Sequence, residues 1–478
     1  MFSTTFLGHQ GWMFQTPKAA ILVDPLLCED FGQAHELGYR VYPPRQWQPE
    51  AMPALDAVIL SHEHDDHFDL PSLAKLERSI PIYLSSRSSI AARRILEQMG
   101  FAVHPFVPGA SIGFGDLEIT AFTGDHQSLD CGDEWDTMPF LVRSTEGHGS
   151  FFSMVDITIT QAHVEWAAAK AMRPGLVSWT NNAMDWSHMA SYLSERVEGT
   201  QQAFVNWGVG HKLITTIWGT PAAMVLCAGG FAFEGAKAWL NQRVFCVDTD
   251  QVVDNMSKLY RKEKFFAGTP GQTFHMRAGK LDSVAATTPW LGTTPRASWP
   301  SRVKGNVELR ELGPATGRPA LAPGELDRLA TYLDALAGSM VGGGTFRSLH
   351  SILATEAGDR VCSFAIIVRD GETRRTFEYV STECRFVPST RPEIDYIAGL
   401  EVWASDLLAV FDGALGPIAL SFGRARLWNA LVGRFSFEIF PELHRMSHPL
   451  RQPLAYFKTY ERLYARARET PVVYKHRR

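Results

Sequence analysis

Short apolar runs alternate with helix-type segments over roughly the first 280 residues. Runs of strand length that end in polar residues occur at Ala20–Asp24 and Ala57–Ser61. Helical periodicity covers Ser88–Met99, which Gly100 follows, and Gln161–Met172. Further strands are predicted at Ile80–Leu84, Leu117–Phe122, Ser150–Val155 and Leu176–Thr180, and a short helix at Leu70–Glu77. This alternation is typical of a layered α/β domain.

One uncharged stretch, Leu213–Phe233, is long enough to cross a bilayer. Its apolar character is interrupted by Trp218-Gly219-Thr220-Pro221 and by Gly229-Gly230. Glycine and proline mark turns in soluble folds. The stretch therefore predicts a buried strand, a turn and a second buried strand at Ala222–Ala228, in a soluble protein without a membrane partner.

The pattern changes at residues 287–302, where three prolines and few aliphatic residues predict a linker. Helical spacing of leucines follows Pro323, and two strand-type runs flank Asp370-Gly371 as in a β-hairpin. Residues Ile394–Phe411 resemble a helix. We therefore expect a first domain at 1–286 and a smaller α+β domain at 303–478.

The amino-acid composition excludes some classes of function but does not identify one. The 478 residues carry 46 Lys+Arg against 51 Asp+Glu, a formal charge of -5 that gives no electrostatic reason for a nucleic-acid partner. Six cysteines are scattered without a C-x-x-C pair, and the N-terminus has no signal-peptide pattern. We expect reduced thiols and a cytoplasmic location.

The strongest chemical signal is Ser61-His62-Glu63-His64-Asp65-Asp66-His67, directly after a buried run. His62 and His64 point to the same side if the segment is extended, while Asp66 and His67 can turn toward a second position. Imidazole and carboxylate ligands suit zinc or iron, with manganese as a further option. The loop therefore predicts a metal site.

The pattern H-x-H-x-D-H resembles the signature of the metallo-β-lactamase-fold superfamily. The resemblance covers about 1–280 and includes Gly8-His9-Gln10-Gly11 and Ile21–Pro25, which look like the opening hairpin of that fold. It implies an αββα sandwich with two divalent metal ions. By position it implies His62, His64 and His126 for one metal, Asp66, His67 and His188 for the other, and Asp156 as the bridge.

The resemblance leaves several assignments open. His211 competes with His188 for the last ligand position, and either residue could contact substrate instead. Asp185 and Trp186 could line the substrate pocket or belong to the core. Asp65 and Asp69 could each orient a ligand imidazole through its other nitrogen, and His9 could lie just outside the ligands. Helix capping explains Asp69 equally well.

Two reactions fit such a site. A hydroxide bridging two metals could hydrolyse an ester, lactone, amide or phosphodiester of a small molecule, with Asp66 and Asp156 as the catalytic carboxylates. Alternatively, two irons in the same site could activate O2 for hydroxylation. The His-rich ligand set favours the hydrolase, because oxygen-active relatives often have Glu in place of one His.

A narrower resemblance favours the oxygenase. Leu70–Leu76, Cys227–Phe231 and Thr269–Thr273 are similar to segments of the CMP-N-acetylneuraminate hydroxylase-like branch. However, no cysteine here has a histidine two or three positions later, so the Rieske cluster of the hydroxylase is not expected. The second domain resembles sterol-carrier-like domains, and we expect it to cap the metal site, shape the pocket or form a homodimer contact.

Overall fold

The structure is a computed structural model that describes residues 1–31, 39–122, 137–171, 173–181, 199–242, 248–302, 312–342, 361–380, 382–415, 420, 424–429 and 453–475. Its contacts divide the chain into two units. The first comprises the described residues within Met1–Met184, Gly199–Lys304 and Tyr460–Arg478, and the second those within Gly305–Thr459.

The strands of the first unit are short, and they alternate with helices as predicted. In chain order they are β1 Phe2–Gly8, β2 Gly11–Gln15, β3 Ala20–Val23, β4 Tyr39–Val41, β5 Arg45–Trp47, β6 Ala57–Leu60, β7 Ile82–Ser85, β8 Val103–Phe106, β9 Ser111–Phe114 and β10 Leu117–Ala121. They continue as β11 Phe140–Ser144, β12 Ser150–Ser153, β13 Leu176–Thr180, β14 Ala223–Cys227, β15 Phe231–Phe233, β16 Phe265–Ala267, β17 Thr273–Arg277, β18 Lys280–Ala285 and β19 Leu291–Thr293.

These strands build two large sheets. One has the order β18-β17-β1-β2-β3-β6-β7-β8 and the other the order β16-β14-β13-β12-β11-β10-β9. Side chains from both sheets meet in one fully buried aromatic cluster, in which Trp12 and Phe14 of β2 pack against Phe151 of β12 with ring centroids 4.7 and 4.8 Å apart. Packing two sheets through their apolar faces buries the core that each sheet alone would expose.

Helices accompany the sheets and complete the predicted αββα sandwich. They are α1 Leu70–Ala74, α2 Ile90–Gln98, α3 Gln161–Lys170, α4 Gly199–Ile217 and α5 Thr249–Leu259, with 3-10 turns at Pro49–Ala51, Gly235–Gln242 and Arg296–Ser298. Val164 of α3, Ile214 of α4 and Val252 of α5 share a second apolar cluster with Phe152 and Val177 of the second sheet. The prediction of an α/β layered domain is confirmed.

One predicted element of the first unit was wrong. The stretch Leu213–Phe233 was expected to open with a buried strand, but α4 runs through it to Ile217, and its strands are Ala223–Cys227 and Phe231–Phe233. A short apolar run fits a buried strand and a buried helix equally well, so periodicity alone could not decide. Across the described parts of the chain, no helix combines the length and apolar character needed to cross a bilayer.

The stretch predicted as a linker, 287–302, is part of the first unit instead. Strand β19 pairs antiparallel with β5, matching Leu291 with Trp47. Trp290 and Leu291 are only 4% and 3% exposed. The proline content of this segment is typical of a linker, but its few apolar side chains are buried and hold it to the first unit.

The C-terminal end of the chain also belongs to the first unit rather than to the second domain in which it was predicted. A helix, α8, spans Pro453–Glu469. Beyond it, the backbone N–H of Tyr474 donates to Lys75 O at 3.0 Å, and the Tyr474 hydroxyl donates to Pro53 O at 2.7 Å. The predicted domain boundary at 303–478 therefore omits a returning segment.

The second unit contains a five-stranded sheet and two helices among its described residues. Its strands are β20 Val361–Asp370, β21 Thr373–Val380, β22 Arg385–Ser389, β23 Tyr396–Trp403 and β24 Arg426–Asn429, in the order β22-β21-β20-β23-β24. The helices are α6 Glu325–Gly342 and α7 Ala404–Phe411, with a 3-10 turn at Glu393–Asp395. The hairpin around Asp370-Gly371 is confirmed, whereas the predicted helix over Ile394–Phe411 is a strand followed by a shorter helix.

Candidate metal centre

Residues that follow four strands of the first unit converge on one site. His9 follows β1, Asp24 follows β3, the loop Ser61–His67 follows β6, and Asp156 lies shortly after β12. His9, Asp24 and Val155 all have positive φ, at 53°, 46° and 55°. Non-glycine residues rarely adopt this backbone region, and strain of this kind clusters at functional sites.

Two groups of potential metal ligands form where these residues meet. One comprises His62, His64 and Asp156 and the other His9, Asp66 and His67, with the ligand atoms of each group within 4.8 Å of one another. Asp156 joins them, since its Oδ2 lies 3.0 Å from His67 Nε2 and 3.6 Å from His62 Nε2. The loop residues that the sequence singled out are therefore brought together with the predicted bridging carboxylate.

Asp24 sets the orientation of two imidazoles. Its Oδ2 accepts hydrogen bonds from the Ser61 hydroxyl at 2.6 Å and from His67 Nδ1 at 2.8 Å. Because the Ser61 proton goes to Asp24, its oxygen accepts from His62 Nδ1 at 2.9 Å. Both histidines thereby carry a proton on Nδ1, which directs their Nε2 atoms toward Asp156.

Sequence analysis proposed Asp65 and Asp69 as the residues that orient the ligand imidazoles. Asp69 instead caps α1, because its carboxylate accepts from the backbone N–H of Ser72 at 2.9 Å. Asp24 was noticed only as part of the opening hairpin. Its role depends on β3 and β6 being parallel neighbours, which places the ends of both strands side by side.

Gln10 orients the bridging carboxylate. Its Nε2 lies 2.9 Å from Asp156 Oδ1, 3.0 Å from Val155 O and 2.8 Å from Thr180 Oγ1. Its Oε1 accepts from Cys227 Sγ at 3.2 Å. Holding Oδ1 in this way turns Oδ2 of Asp156 toward the histidines. Sequence reasoning did not identify Gln10 as a functional residue, because an amide beside an apolar strand carries no distinctive spacing.

His9 is better suited to supporting the site than to binding a metal. The backbone N–H of Gly230 donates to His9 Nδ1 at 3.1 Å, so the ring proton lies on Nε2. That Nε2 is 2.5 Å from Asp66 Oδ2 and donates to it. His9 thus holds Asp66 in place, and its position just outside the ligands stays a prediction.

The electrostatics favour bound cations. Burial opposes charge on His67, but Asp156, Asp66 and Asp24 outweigh that effect and raise the pKa of His67 well above its usual range. Burial likewise opposes ionisation of Asp66, yet His67 and His9 lower the pKa of its carboxyl. By contrast, burial together with His67 and His64 lowers the pKa of His62. Ionised carboxylates therefore stabilise positive charge in a buried site.

One further observation indicates that these ligand atoms suit a divalent metal ion. His67 Nε2 is fully buried, and among the described residues it has no hydrogen-bond partner of good geometry. A buried polar atom without a partner is costly unless something else satisfies it. Imidazole nitrogens with carboxylate oxygens are the ligands that zinc and iron prefer.

Among the remaining predicted site residues, His211 is the one that the structure describes. His126, Asp185, Trp186 and His188 lie outside the described residues, so their roles stay predictions. His211 lies on α4, where its Nε2 is 2.6 Å from Glu263 Oε2 and its ring centroid is 3.7 Å from that of Tyr260. It is not a member of either ligand group.

Comparison with known proteins gives a family match for part of the first unit. Residues 20–215 match the family described as the beta-lactamase superfamily domain. A stretch of 75 residues is 31% identical to an uncharacterized protein of Mycobacterium tuberculosis and to one of Mycobacterium bovis, which is 16% of this chain. The chain spans about a fifth (20%) of the length of these curated relatives.

Similar solved structures include enzymes of two kinds. An isothiocyanate hydrolase from Delia radicum gut bacteria is 18% identical, with 58% of this chain and 100% of that chain covered and a TM-score of 0.41. CmlA, a diiron beta-hydroxylase from Streptomyces venezuelae, is 15% identical over 58% of this chain and 54% of that chain, with a TM-score of 0.37. The narrower hydroxylase-like branch suggested by the sequence stays a prediction.

Proposed function

With residues 20–215 forming a beta-lactamase superfamily domain, we propose that the protein is a dinuclear metal-dependent hydrolase of a small molecule. The substrate classes are those with an electrophilic carbonyl or phosphoryl centre: an ester, a lactone, an amide or a phosphodiester. Zinc is the metal that this histidine-rich donor set fits best. Two metal ions bound there would lower the pKa of a water molecule and polarise the electrophile.

The observation that carries the proposal is the hydrogen-bond chain from Asp24. By accepting from Ser61 and His67, Asp24 fixes the Nδ1–H form of His62 and His67. Their Nε2 atoms then lie 3.6 and 3.0 Å from Asp156 Oδ2. A structural histidine cluster would not need its ring nitrogens oriented toward a shared carboxylate.

The chain's own residues divide the work as follows. His62, His64, His67, Asp66 and Asp156 would hold the metals, with His126 and His188 completing the set. Asp66 Oδ2 accepts from His9 Nε2 at 2.5 Å, which fixes the Asp66 carboxylate at the site. Asp66 and Asp156 are the proposed catalytic carboxylates.

Metal analysis of protein purified without added metal tests the proposal. We expect about two zinc ions per chain and a loss of both metal and turnover in His62→Ala. The screen uses p-nitrophenyl acetate, bis(p-nitrophenyl) phosphate and a simple lactone. Tightly bound iron with reductant-dependent O2 consumption would instead support the diiron oxygenase, and unchanged activity in His62→Ala would contradict both enzymes.

A further inference from the structure

Glu63 lies between two proposed ligands but faces away from them. Its carboxylate accepts hydrogen bonds from Ser89 and Tyr460, so Glu63 is directed behind the ligand loop. It is 6% exposed, and its carboxylate is surrounded by hydrogen-bond donors from two distant elements. Burying a carboxylate costs free energy unless hydrogen-bond donors surround it.

The first of these elements is the start of α2. The backbone N–H and the hydroxyl of Ser89 both donate to Glu63, the hydroxyl at 2.8 Å. Ser89 is also the N-cap of α2, since its Oγ accepts from the backbone N–H of Ala92 at 3.0 Å. Glu63 is therefore attached to a helix end that is itself fixed.

The second element is the C-terminal helix α8. The Tyr460 hydroxyl donates to Glu63 Oε2 at 2.5 Å, across 397 positions of sequence. The Tyr460 ring is 3% exposed and packs on Phe68, the residue after His67, with centroids 5.2 Å apart. Tyr460 thus contacts the ligand loop at two points, between His62 and His64 and directly after His67.

Further contacts hold this helix against the first unit. Arg466 pairs with Asp30 at 2.7 Å, and the Tyr464 hydroxyl donates to Gln98 O at 3.1 Å. Residues 473 and 474 bond to Lys75 O, just beyond α1. The position of Tyr460 is consequently set by several anchors rather than by its own hydroxyl alone.

We propose that Tyr460 is a positioning residue of the metal centre, which acts through Glu63 to hold His62 and His64 at the spacing that metal binding requires. The inference rests on the proposed metal centre. An O–H···O⁻ bond to a buried carboxylate is among the stronger hydrogen bonds in proteins. Outer contacts of this kind orient ligands and influence metal affinity.

The test compares Tyr460→Phe with Tyr464→Phe in the full-length chain. Each variant removes one hydroxyl from α8, but only Tyr460 contacts Glu63. Zinc affinity is measured by competition with a chromophoric chelator, and the visible spectrum of the cobalt(II)-loaded protein reports the ligand geometry. We expect about tenfold weaker zinc binding and an altered cobalt spectrum for Tyr460→Phe only.

Wild-type zinc affinity in Tyr460→Phe would overturn the proposal, and so would an equal loss in both variants, which would indicate general docking of α8. Should Tyr460→Phe fold poorly, Glu63→Gln provides the second test, with the same expected loss of zinc affinity and a shifted cobalt spectrum; unchanged values would again overturn the proposal. A wild-type protein that binds no metal would refute the proposed function itself, a distinguishable result.

Discussion

His67 and His211 are both buried histidines bonded to a carboxylate, yet their surroundings differ. His67 is held through Nδ1 by Asp24, and its Nε2 faces Asp156 at 3.0 Å. His211 is held through Nε2 by Glu263, and its ring stacks on Tyr260 with centroids 3.7 Å apart. The first imidazole directs a nitrogen into a polar cluster, and the second is enclosed by aromatic rings.

The difference teaches that the orientation of a histidine indicates its role better than its burial or its acidic partner. Two strand ends and the ligand loop supply the three carboxylates around His67, whereas one helix and one loop residue account for the pair at His211. A site that binds cations needs several donors converging on one point. A single pair serves to satisfy a buried polar group.

The largest effect should come from Asp156→Asn. Asp156 is the carboxylate shared by the two ligand groups, and an amide removes its negative charge while keeping its shape. We expect loss of at least one metal ion per chain and a fall in turnover of ~10³-fold or more, since metal-ion catalysis supplies several kcal/mol. Metal content and hydrolysis rate are measured on the same preparation.

Asp69→Asn is the control for that experiment. Asp69 is fully buried near the same loop but caps α1, a role that Asn fills equally well. Its metal content should match the wild type. A normal metal content in Asp156→Asn, or an equal loss in Asp69→Asn, would contradict the bridging role.

A smaller loss is expected for Asp24→Asn, because this variant alters only the orientation of the ligands. Asparagine tolerates the positive φ of 46° at this position, so the backbone should be retained. The carboxylate accepts from the Ser61 hydroxyl and His67 Nδ1 at Oδ2 and from the Ser61 backbone N–H at Oδ1, so an amide must place its NH2 group against at least one of these donors. We expect zinc affinity to fall about 10–100-fold, measured by chelator competition.

Glu263→Gln also replaces a carboxylate by an amide, here at the partner of His211. It therefore compares His211 directly with His67. It should lower the free energy of unfolding by about 1–3 kcal/mol and leave zinc affinity unchanged. Equal effects of the two variants on zinc affinity would mean that orientation does not distinguish His67 from His211.

The sequence predicted the part of the site that is local. His62, His64, Asp66 and His67 were found because four ligand-type residues fall within six positions after a buried strand. Asp156 was found through the superfamily resemblance. Asp24 and Gln10 were not given their roles, because those roles arise only when separate strands are placed side by side in a sheet.

The errors in the predicted fold also have physical causes. Leu213 belongs to a helix rather than a strand, because apolar content does not distinguish two buried elements. The return of Tyr460 to the first unit could not be predicted, since a hydrogen bond across 397 positions has no local pattern. The proline-rich segment at 287–302 was misread because two buried residues, Trp290 and Leu291, outweigh its linker-like composition.

Gly230→Ala should act on His9, the residue that supports Asp66, through a steric clash. A Cβ at Gly230 would lie 2.4 Å from His9 Nδ1 and 2.6 Å from His9 Cα, so the backbone must shift. We expect about 2 kcal/mol lower stability from this overpacking, measured by denaturant unfolding. Gly208→Ala is the matched control, because an added Cβ there meets nothing within 4 Å, and a stability loss as large as that of Gly230→Ala would contradict the clash.

The smallest expected effect concerns a third buried histidine, His163, whose hydrogen bonds in the structure go to Thr160 rather than to a carboxylate. Burial lowers the pKa of His163 to about 4, the direction opposite to that at His67. Between pH 6.5 and 4 the unfolded chain therefore binds more protons, so wild-type stability should fall as pH drops through this window, by on the order of 1 kcal/mol. His163→Gln keeps a side chain that can complete the capping box of α3 but does not titrate. The stability difference between the two proteins, measured by denaturant unfolding at several pH values, should consequently shift in favour of the variant on acidification; a constant difference would mean that a buried histidine without a carboxylate partner keeps an ordinary pKa here.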